Sequence, residues 1–414
     1  MNHAFWILFV ACSAVQVSAQ GINSGQIKGL RVNGEGRNRF PVARLESNPV
    51  TIEFDIDKNQ PDDFRIRFYH CDKNWNRTQN SFVNDEMRNS TKFPIPYEPA
   101  PAGVQRYRFH YTVRLPGFAG VEKFVYSGNY AFEVWDRDET AVQAEGRFFV
   151  AEDRFPISLA IKNRLLPSQG APMNQVNKIV VPVNVEEQGQ DVTDRLIASN
   201  VRTLDIYKNR EFSRRYRIDT DDRTPNTFID GFGTANMKFS VDNIQPGNEY
   251  RRLDLTNTDY YPPNVLLKMR GGADVSRMFR QGPPDLDGQS ILRTENRYSD
   301  YLSFQFELDR ESDDLSPIYV VGDFNSWQPG DAWKMTYDQE GQRYILRTEL
   351  RRGTYDYQYV CNGDDWTKVE GNDWRTVNQF TALLYYHDIR YGGFDRIIGM
   401  EQRSSSGAKG ATSK

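Results

Sequence analysis

The chain has 414 residues, and its formal net charge at neutral pH is −4. A charge this small for the length gives no indication of a nucleic-acid partner or of an anionic membrane surface. A length of 414 residues predicts two to four domains of about 100–200 residues each. The 22 Tyr and 25 Phe residues favour β-structure, because aromatic side chains fit the half-buried surface of a pleated sheet.

The N-terminus has the pattern of a secretory signal peptide. A short apolar stretch over residues 5–17 ends at residues 17–19 (VSA), where signal peptidase needs small side chains. No later stretch approaches the roughly 20 apolar residues of a transmembrane helix. Residues 9–12 (FVAC) offer a lipoprotein cleavage site as the alternative, but that site would leave a very short apolar core. We therefore expect residues 1–19 to be removed when the protein is exported.

Alternating apolar and polar residues run through the next part of the chain. The alternation is clearest over residues 51–57, 64–68 and 107–115. Each stretch predicts a strand with one buried face. Because turn residues separate them, we predict one β-sandwich over residues 20–153.

The middle of the chain continues the β pattern. Residues 178–185 and 203–207 read as strands, and Pro182 makes the first of them an edge strand or a bulged one. Residues 270–295 are rich in Gly, Pro and Asp and lack periodicity, which indicates a linker or a long loop. We predict a β-domain over residues 154–295 that ends in this loop.

A third β-domain is predicted over residues 296–400. An alternating strand covers residues 302–308, and a hairpin turns around Gly353. The tail at residues 401–414 has few apolar side chains, so we expect it to be disordered. The predicted fold class is all-β, with immunoglobulin-like β-sandwich domains in tandem.

The sequence gives no indication of an enzyme, a metal or a cofactor. It has no HExxH, GxSxG or phosphate-loop motif, and only His70, His110 and His387 follow the signal. His70 precedes a cysteine, but adjacent strand residues point to opposite faces and no second ligand pair follows. Cys71 and Cys361 are either two separate buried thiols or one disulfide. We predict no catalytic, cofactor-binding or metal-binding residues.

One motif points to a ligand. Residues 322–327 (GDFNSW), followed by Trp366, resemble the sugar-binding sandwich module of glycogen-branching enzymes and of the AMP-activated kinase β subunit. That resemblance implies that Trp327 and Trp366 stack on sugar rings, although the hairpin Lys of such modules is Gln358 here. The alternative is that Trp327 fills a turn of an immunoglobulin-like sandwich.

A second resemblance extends over about residues 25–400. Its pieces, in chain order, are YHCDKNWN at 69–76, YTVRLP at 111–116, SGNY at 127–130, GNEYRRLD at 247–254, SDYL at 299–302, EGN at 370–372, TVN at 376–378, LYY at 384–386 and FDRIIG at 394–399. Together they are similar to the plug protein of the type IX secretion system, the exporter of Bacteroidota-type outer membranes.

This resemblance implies a non-catalytic periplasmic protein, peripheral to the outer membrane. It would bind a very large outer-membrane β-barrel translocon and seal its periplasmic side when no substrate is present. The alternative function is a periplasmic or surface glycan-binding protein that acts through Trp327 and Trp366. A hydrolase would instead need two acidic side chains that converge in a cleft.

Two segments are candidate docking sites for such a partner. The first is the aromatic turn with Tyr260 and Tyr261, and the second is the predicted loop with Arg277, Phe279 and Arg280. Tyr and Arg are favoured because these side chains dominate the energetics of protein interfaces. An ordinary surface loop is the alternative interpretation.

Overall fold

The structure is a computed structural model, and it describes residues 20–22, 26–36, 39–118, 120–152, 154–166, 174–185, 196–278, 284–293, 296 and 298–405. The predicted signal peptide lies outside the described residues, as does most of the predicted tail. The regular secondary structure of the described residues consists of strands and a few short 3-10 turns, which confirms the predicted all-β fold class. They include no apolar helix long enough to cross a membrane.

The described strands follow one another in this order: β1 Gln20–Ile22, β2 Ile27–Asn33, β3 Val42–Arg44, β4 Val50–Ile56, β5 Arg65–Cys71, β6 Tyr97–Pro99, β7 Phe109–Leu115, β8 Gly128–Trp135, β9 Val142–Ala151, β10 Ala160–Leu166, β11 Asn174–Asn184, β12 Val201–Lys208, β13 Arg215–Asp219, β14 Thr227–Asp230, β15 Asn236–Ile244, β16 Arg251–Asp254, β17 Leu267–Lys268, β18 Ser290–Leu292, β19 Tyr301–Asp309, β20 Ile318–Gly322, β21 Thr336–Asp338, β22 Arg343–Arg351, β23 Gly353–Cys361, β24 Gln379–Asp388 and β25 Phe394–Ser404. The 3-10 turns are Ala198–Asn200, Asp323–Asn325, Asp331–Trp333 and Arg390–Gly392.

The first domain is a β-sandwich over residues 27–152. One sheet has the order β2-β4-β7-β6, and β5, β8 and β9 form the opposite layer. Alternate residues of β4 and β5 point into the core, as their period-two patterns predict. The rings of Phe54, Phe64 and Tyr111 meet at centroid distances of 5.0–5.4 Å. Burial of these rings stabilises the sandwich.

The middle domain takes two of its strands from the end of the chain. One sheet has the order β10-β11-β15-β14, and the opposite layer runs β13-β12-β24-β25. Residues 379–404 therefore complete the middle domain, although the sequence assigned most of them to a domain at 296–400. Strand β24 is buried on both faces, so its apolar run carries no alternation that would reveal this pairing.

The third domain lies between the two parts of the middle one. Its layers are β16-β23-β18, with β20 also on β23, and β17-β19-β22-β21. Strands β16, β17 and β18 precede residue 296, where the sequence placed the start of this domain, and β18 lies within the segment expected to be a loop at 270–295. Strand β25 likewise continues to Ser404, into the segment predicted to be disordered.

Buried ion pairs tie the first and middle domains together. Their sheets meet through one parallel pair of residues, Ile397 and Ala151. Beside this contact, Arg396 Nη2 lies 2.8 Å from Glu152 Oε2. Lys73 of the first domain reaches Asp219 on β13 at 2.6 Å. Because removing one partner of a buried pair is far more destabilising than losing a surface pair, these contacts fix the relative position of the domains.

The third domain is joined to the others in the same way. Arg351 on β22 pairs with Asp55 on β4 at 2.9 Å, and both side chains are buried. Arg210 of the middle domain pairs with Asp323 at 2.9 Å and donates a hydrogen bond to the carbonyl of Val32. Arg210 therefore contacts all three domains at once.

Candidate partner-binding surfaces

The aromatic turn at residues 259–263 presents one of its two tyrosines to solvent. Tyr260 is 50% exposed, and the guanidinium of Arg270 lies 3.5 Å from the centre of its ring. Tyr261 is only 8% exposed, and its carbonyl accepts a hydrogen bond from Arg352. Of this predicted pair, only Tyr260 is placed to contact a partner.

Arg277 is a structural residue in this fold. It is 7% exposed, and its Nε donates to Glu370 Oε2 at 2.7 Å. Arg251 donates to the other oxygen of the same carboxylate at 3.0 Å. Burial alone would raise the pKa of Glu370, but the two guanidinium groups outweigh burial and lower it. Arg277 is thus not available as an anchor, and Phe279 and Arg280 lie outside the described residues.

The segment that precedes Arg277 runs along one edge of the third domain. Leu267 and Lys268 pair in parallel with β19, and Asp274 forms a bridge to Leu308. Four apolar side chains on this edge are exposed, namely Val265, Leu266, Val275 and Met278. We call them the edge surface. Since β19 advances four residues between the two contacts, the edge surface is about 13 Å or more in length.

Neither tryptophan of the sugar-binding motif offers a face to a ligand. Trp327 is fully buried, its Nε1 donates to the carbonyl of Gly288 at 2.7 Å, and Tyr250 packs on its ring. Trp366 is also buried and belongs to the same cluster. Stacking on a pyranose needs an open aromatic face, so this arrangement does not support Trp327 and Trp366 as sugar-binding residues. It matches the alternative that Trp327 fills a turn.

A second exposed apolar surface was missed at the sequence level. Phe82, in the loop after β5, is 65% exposed and packs on Tyr391 with ring centroids 5.6 Å apart. Tyr391 lies in the turn between β24 and β25, beside the exposed Ile389, and its carbonyl accepts a hydrogen bond from Asn80. We call Phe82, Ile389 and Tyr391 the two-domain surface, because it joins the first and middle domains. No sequence pattern placed residues 82 and 391 together, since both lie in turns without periodicity.

The histidine and the two cysteines that the sequence singled out, His70, Cys71 and Cys361, are buried in the domain cores. Burial lowers the pKa of His70 to about 4, and its ring bonds Thr78 and the carbonyl of Ser127. Burial also raises the pKa values of Cys71 and Cys361 to about 11, and both are separate free thiols. No group of three or more His, Cys, Asp or Glu residues in the described part of the chain is placed to hold a metal ion.

A comparison with protein families finds a match for the first domain. Residues 27–152 match the model of the Type 9 secretion system plug protein 1st domain. This confirms, over residues 27–152, the similarity noted from the sequence, and the matched family is associated with type IX secretion and the cell envelope. The similarity to the glycogen-binding module is not supported by any match. No curated protein matched the chain.

Solved structures extend the likeness in fold beyond the first domain. The crystal structure of a hypothetical protein from Parabacteroides merdae ATCC 43184 matches with a TM-score of 0.73 at 20% identity. The match covers 93% of this chain and 99% of that one. At this identity the likeness shows the fold alone. The BSP domain of a biofilm associated protein gives a TM-score of 0.17, which is too low to indicate a shared fold.

Proposed function

We propose that this chain is a plug subunit of the type IX secretion system. It docks on the periplasmic side of the outer-membrane translocon and seals it while no substrate is present. The observation that carries the proposal is the match of residues 27–152 to the plug-protein first domain. Sealing requires binding and release but no catalysis.

The way in which the domains are joined supports this role. A protein that closes a wide aqueous pore must keep its shape when it docks. Three sandwiches linked by Glu152–Arg396, Lys73–Asp219 and Asp55–Arg351 meet that need, because each pair would have to be broken for the domains to separate. We therefore expect rigid-body docking with little change in the backbone.

The two-domain surface is the stronger candidate for the docking contact. It lies partly in the domain that matches the plug family, and it combines an aromatic pair with an aliphatic side chain. Exposed aromatic side chains are frequent anchors at interfaces. The edge surface on the third domain is the second candidate, and it includes part of the loop predicted from the sequence.

Affinity purification in mild detergent tests the proposal. With a tag after Lys414, we expect a very large outer-membrane β-barrel to co-purify with this chain from its native host. Recovery should be greatest when secretion cargo is absent. Recovery of the chain alone, repeated after chemical crosslinking, would contradict the plug function.

Matched surface variants then distinguish the two contacts. F82S/I389S removes exposed apolar groups from the two-domain surface, and V265S/V275S removes exposed apolar groups from the edge surface. All four side chains are exposed, so each variant should fold normally. We expect the first variant to reduce recovery of the β-barrel at least about tenfold and the second to leave it near wild type. The reverse result would assign docking to the edge surface.

A further inference from the structure

A large cleft opens where the three domains meet. Its volume is about 1240 Å³, and its walls come from β2 and Trp75 of the first domain, Phe212 and Arg215 of the middle domain, and Phe324 and Trp333 of the third. Pockets for small molecules occupy about 300–1,000 Å³. The size of this cleft therefore suits a polypeptide segment better than a small ligand.

Partly exposed aromatic rings line the cleft. Phe324 and Trp333 stack with centroids 4.4 Å apart and planes 23° apart. Trp75 lies in a turn with φ of 68°, a left-handed conformation that is unusual for a residue with a side chain. These rings offer apolar faces to a side chain that enters from solvent.

The charged side chains of the cleft are mostly basic. The basic residues on its walls are Lys28, Arg31, Arg147, Arg215 and Arg351, and the acidic ones are Asp331 and Glu349. Three of the five have close carboxylates, because Lys28 pairs with Glu349, Arg31 with Glu53 and Arg351 with Asp55. The excess positive charge therefore belongs to Arg147 and Arg215.

Arg147 forms no close ion pair in the described part of the chain, and the charge of Glu145 acts on it only from a greater distance. Its guanidinium lies 4.7 Å from the centre of the Trp75 ring, and no described carboxylate is within 4.0 Å. Its Nε is buried without a hydrogen-bond partner. Burial lowers the pKa of Arg147, and the charge of Arg215 acts in the same direction. The nearest carboxylate of Arg215, on Asp205, is 3.9 Å away.

A deeper donor on the same wall is also incompletely paired. Arg31 is more than nine-tenths buried, and its Nη2 contacts Glu53 at 3.1 Å. Its Nε and Nη1 have no hydrogen-bond partner among the described residues. The cleft thus combines two guanidinium groups without a close carboxylate, those of Arg147 and Arg215, with open aromatic faces. Carboxylates are the acceptors that guanidinium groups bind most strongly in proteins.

We propose that this cleft binds an extended, acidic polypeptide segment of a partner protein. Carboxylates of the segment pair with Arg147 and Arg215, and a neighbouring apolar side chain packs on Trp75 or on the Phe324–Trp333 pair. The proposal stands apart from the plug function, because it follows from the charge and shape of the cleft. If both are correct, the cleft provides a contact in addition to the two-domain surface.

Fluorescence anisotropy with two synthetic peptides tests the proposal on the full chain. Both peptides carry fluorescein and the same Phe and Leu residues; one has Glu and Asp at the remaining positions, and the other has Lys at each of them. We expect the acidic peptide to bind at least about tenfold more tightly than the basic one. Equal affinities would overturn the proposal.

Variants locate the binding. R147Q/R215Q should weaken binding of the acidic peptide at least about tenfold. The control R108Q/R114Q removes the same charge from exposed arginines of the first domain. It should change the affinity for the acidic peptide by less than about twofold. If the control weakens binding equally, general surface charge explains the effect and the proposal fails. W333A leaves every charge in place and should also weaken binding of the acidic peptide. It keeps the proposal testable if R147Q/R215Q does not fold.

Free glutamate as a competitor separates a segment from a small anion. We expect glutamate to displace the acidic peptide only at concentrations at least about a hundredfold above those of the unlabelled peptide. Displacement at similar concentrations would overturn the assignment to a polypeptide. Neither result depends on the translocon, so failure here leaves the plug function untouched.

Discussion

Two buried polar junctions hold the third domain in place, and they are built on opposite principles. The junction with the first domain is an ion pair between Arg351 and Asp55. The hydroxyl of Tyr301 donates to the same carboxylate at 2.8 Å, and the hydroxyl of Tyr107 accepts from Arg351 at 2.9 Å. Each charge at this junction is matched by an opposite charge or by a hydroxyl group.

At the border with the middle domain, next to the Arg210–Asp323 pair, a second junction instead collects negative charge. Asp356 on β23 accepts hydrogen bonds from the backbone of Leu286 and Gly288, at 2.6 and 3.0 Å. Burial raises its pKa to about 7. Burial, followed by the charges of Asp356 and Glu249, raises the pKa of Asp285 as well. The first junction therefore depends on both partners being present, while the second depends on pH.

Breaking the Asp55–Arg351 ion pair should have the largest effect on stability. D55A leaves the guanidinium of Arg351 buried without its carboxylate, and we expect the free energy of unfolding to fall by about 3–5 kcal/mol. Urea denaturation followed by far-UV circular dichroism measures this change.

The neighbouring Asp57 provides the matched control. Asp57 is exposed and lies 3.7 Å from Arg108, so D57A should lower the free energy of unfolding by less than about 1 kcal/mol. Equal losses in the two variants would show that the Asp55–Arg351 pair does not hold the junction.

Removing a charge from the acidic junction should stabilise the protein at high pH. The folded-state pKa of Asp356 lies above the value of about 3.9 for an unfolded chain. Its contribution to stability is therefore greatest at low pH and is lost as pH rises from about 4 to about 7. D356N keeps an oxygen for the two backbone donors and cannot ionise. We expect D356N to raise the free energy of unfolding at about pH 8 by up to about 4 kcal/mol.

The comparison must be made between variants at each pH. His70 acts in the opposite direction, because its lowered pKa makes stability fall as pH drops from about 6.5 to about 4. That effect is common to wild type and D356N and cancels in their difference. If the gain from D356N is the same at about pH 5 as at about pH 8, ionisation of the acidic junction is not its cause.

The fold could be predicted from the sequence where strands have one buried face. Strands β4 and β5 show this, since their apolar residues alternate and point into one core. Strand β24 is the opposite case. Ala382 and Leu384 face the middle core, while Leu383 and Tyr385 face an aromatic cluster on the other side of the sheet. A strand that is apolar on both faces does not reveal its partners, so the return of the chain to the middle domain could not be predicted.

The candidate surfaces show the same limit. Composition pointed to Tyr260 and to a loop rich in arginine, but composition does not show that Glu370 lies beneath Arg277. The carboxylate and the guanidinium are 93 residues apart in sequence. The two-domain surface was missed for the same reason, because Phe82 and Tyr391 meet only after the domains pack. Contacts of high sequence separation decide both outcomes.

Trp327 anchors the segment of the acidic junction with a neutral hydrogen bond to the carbonyl of Gly288. W327F removes the donor to Gly288 and leaves a small cavity, so we expect the free energy of unfolding to fall by about 1–3 kcal/mol. W374F, at an exposed tryptophan, should change it by less than about 0.5 kcal/mol. Because Gly288 also donates to Asp356, the effects of W327F and D356N should be non-additive. Additive effects in the double variant would mean that the hydrogen bond of Trp327 and the carboxylate of Asp356 hold the segment independently.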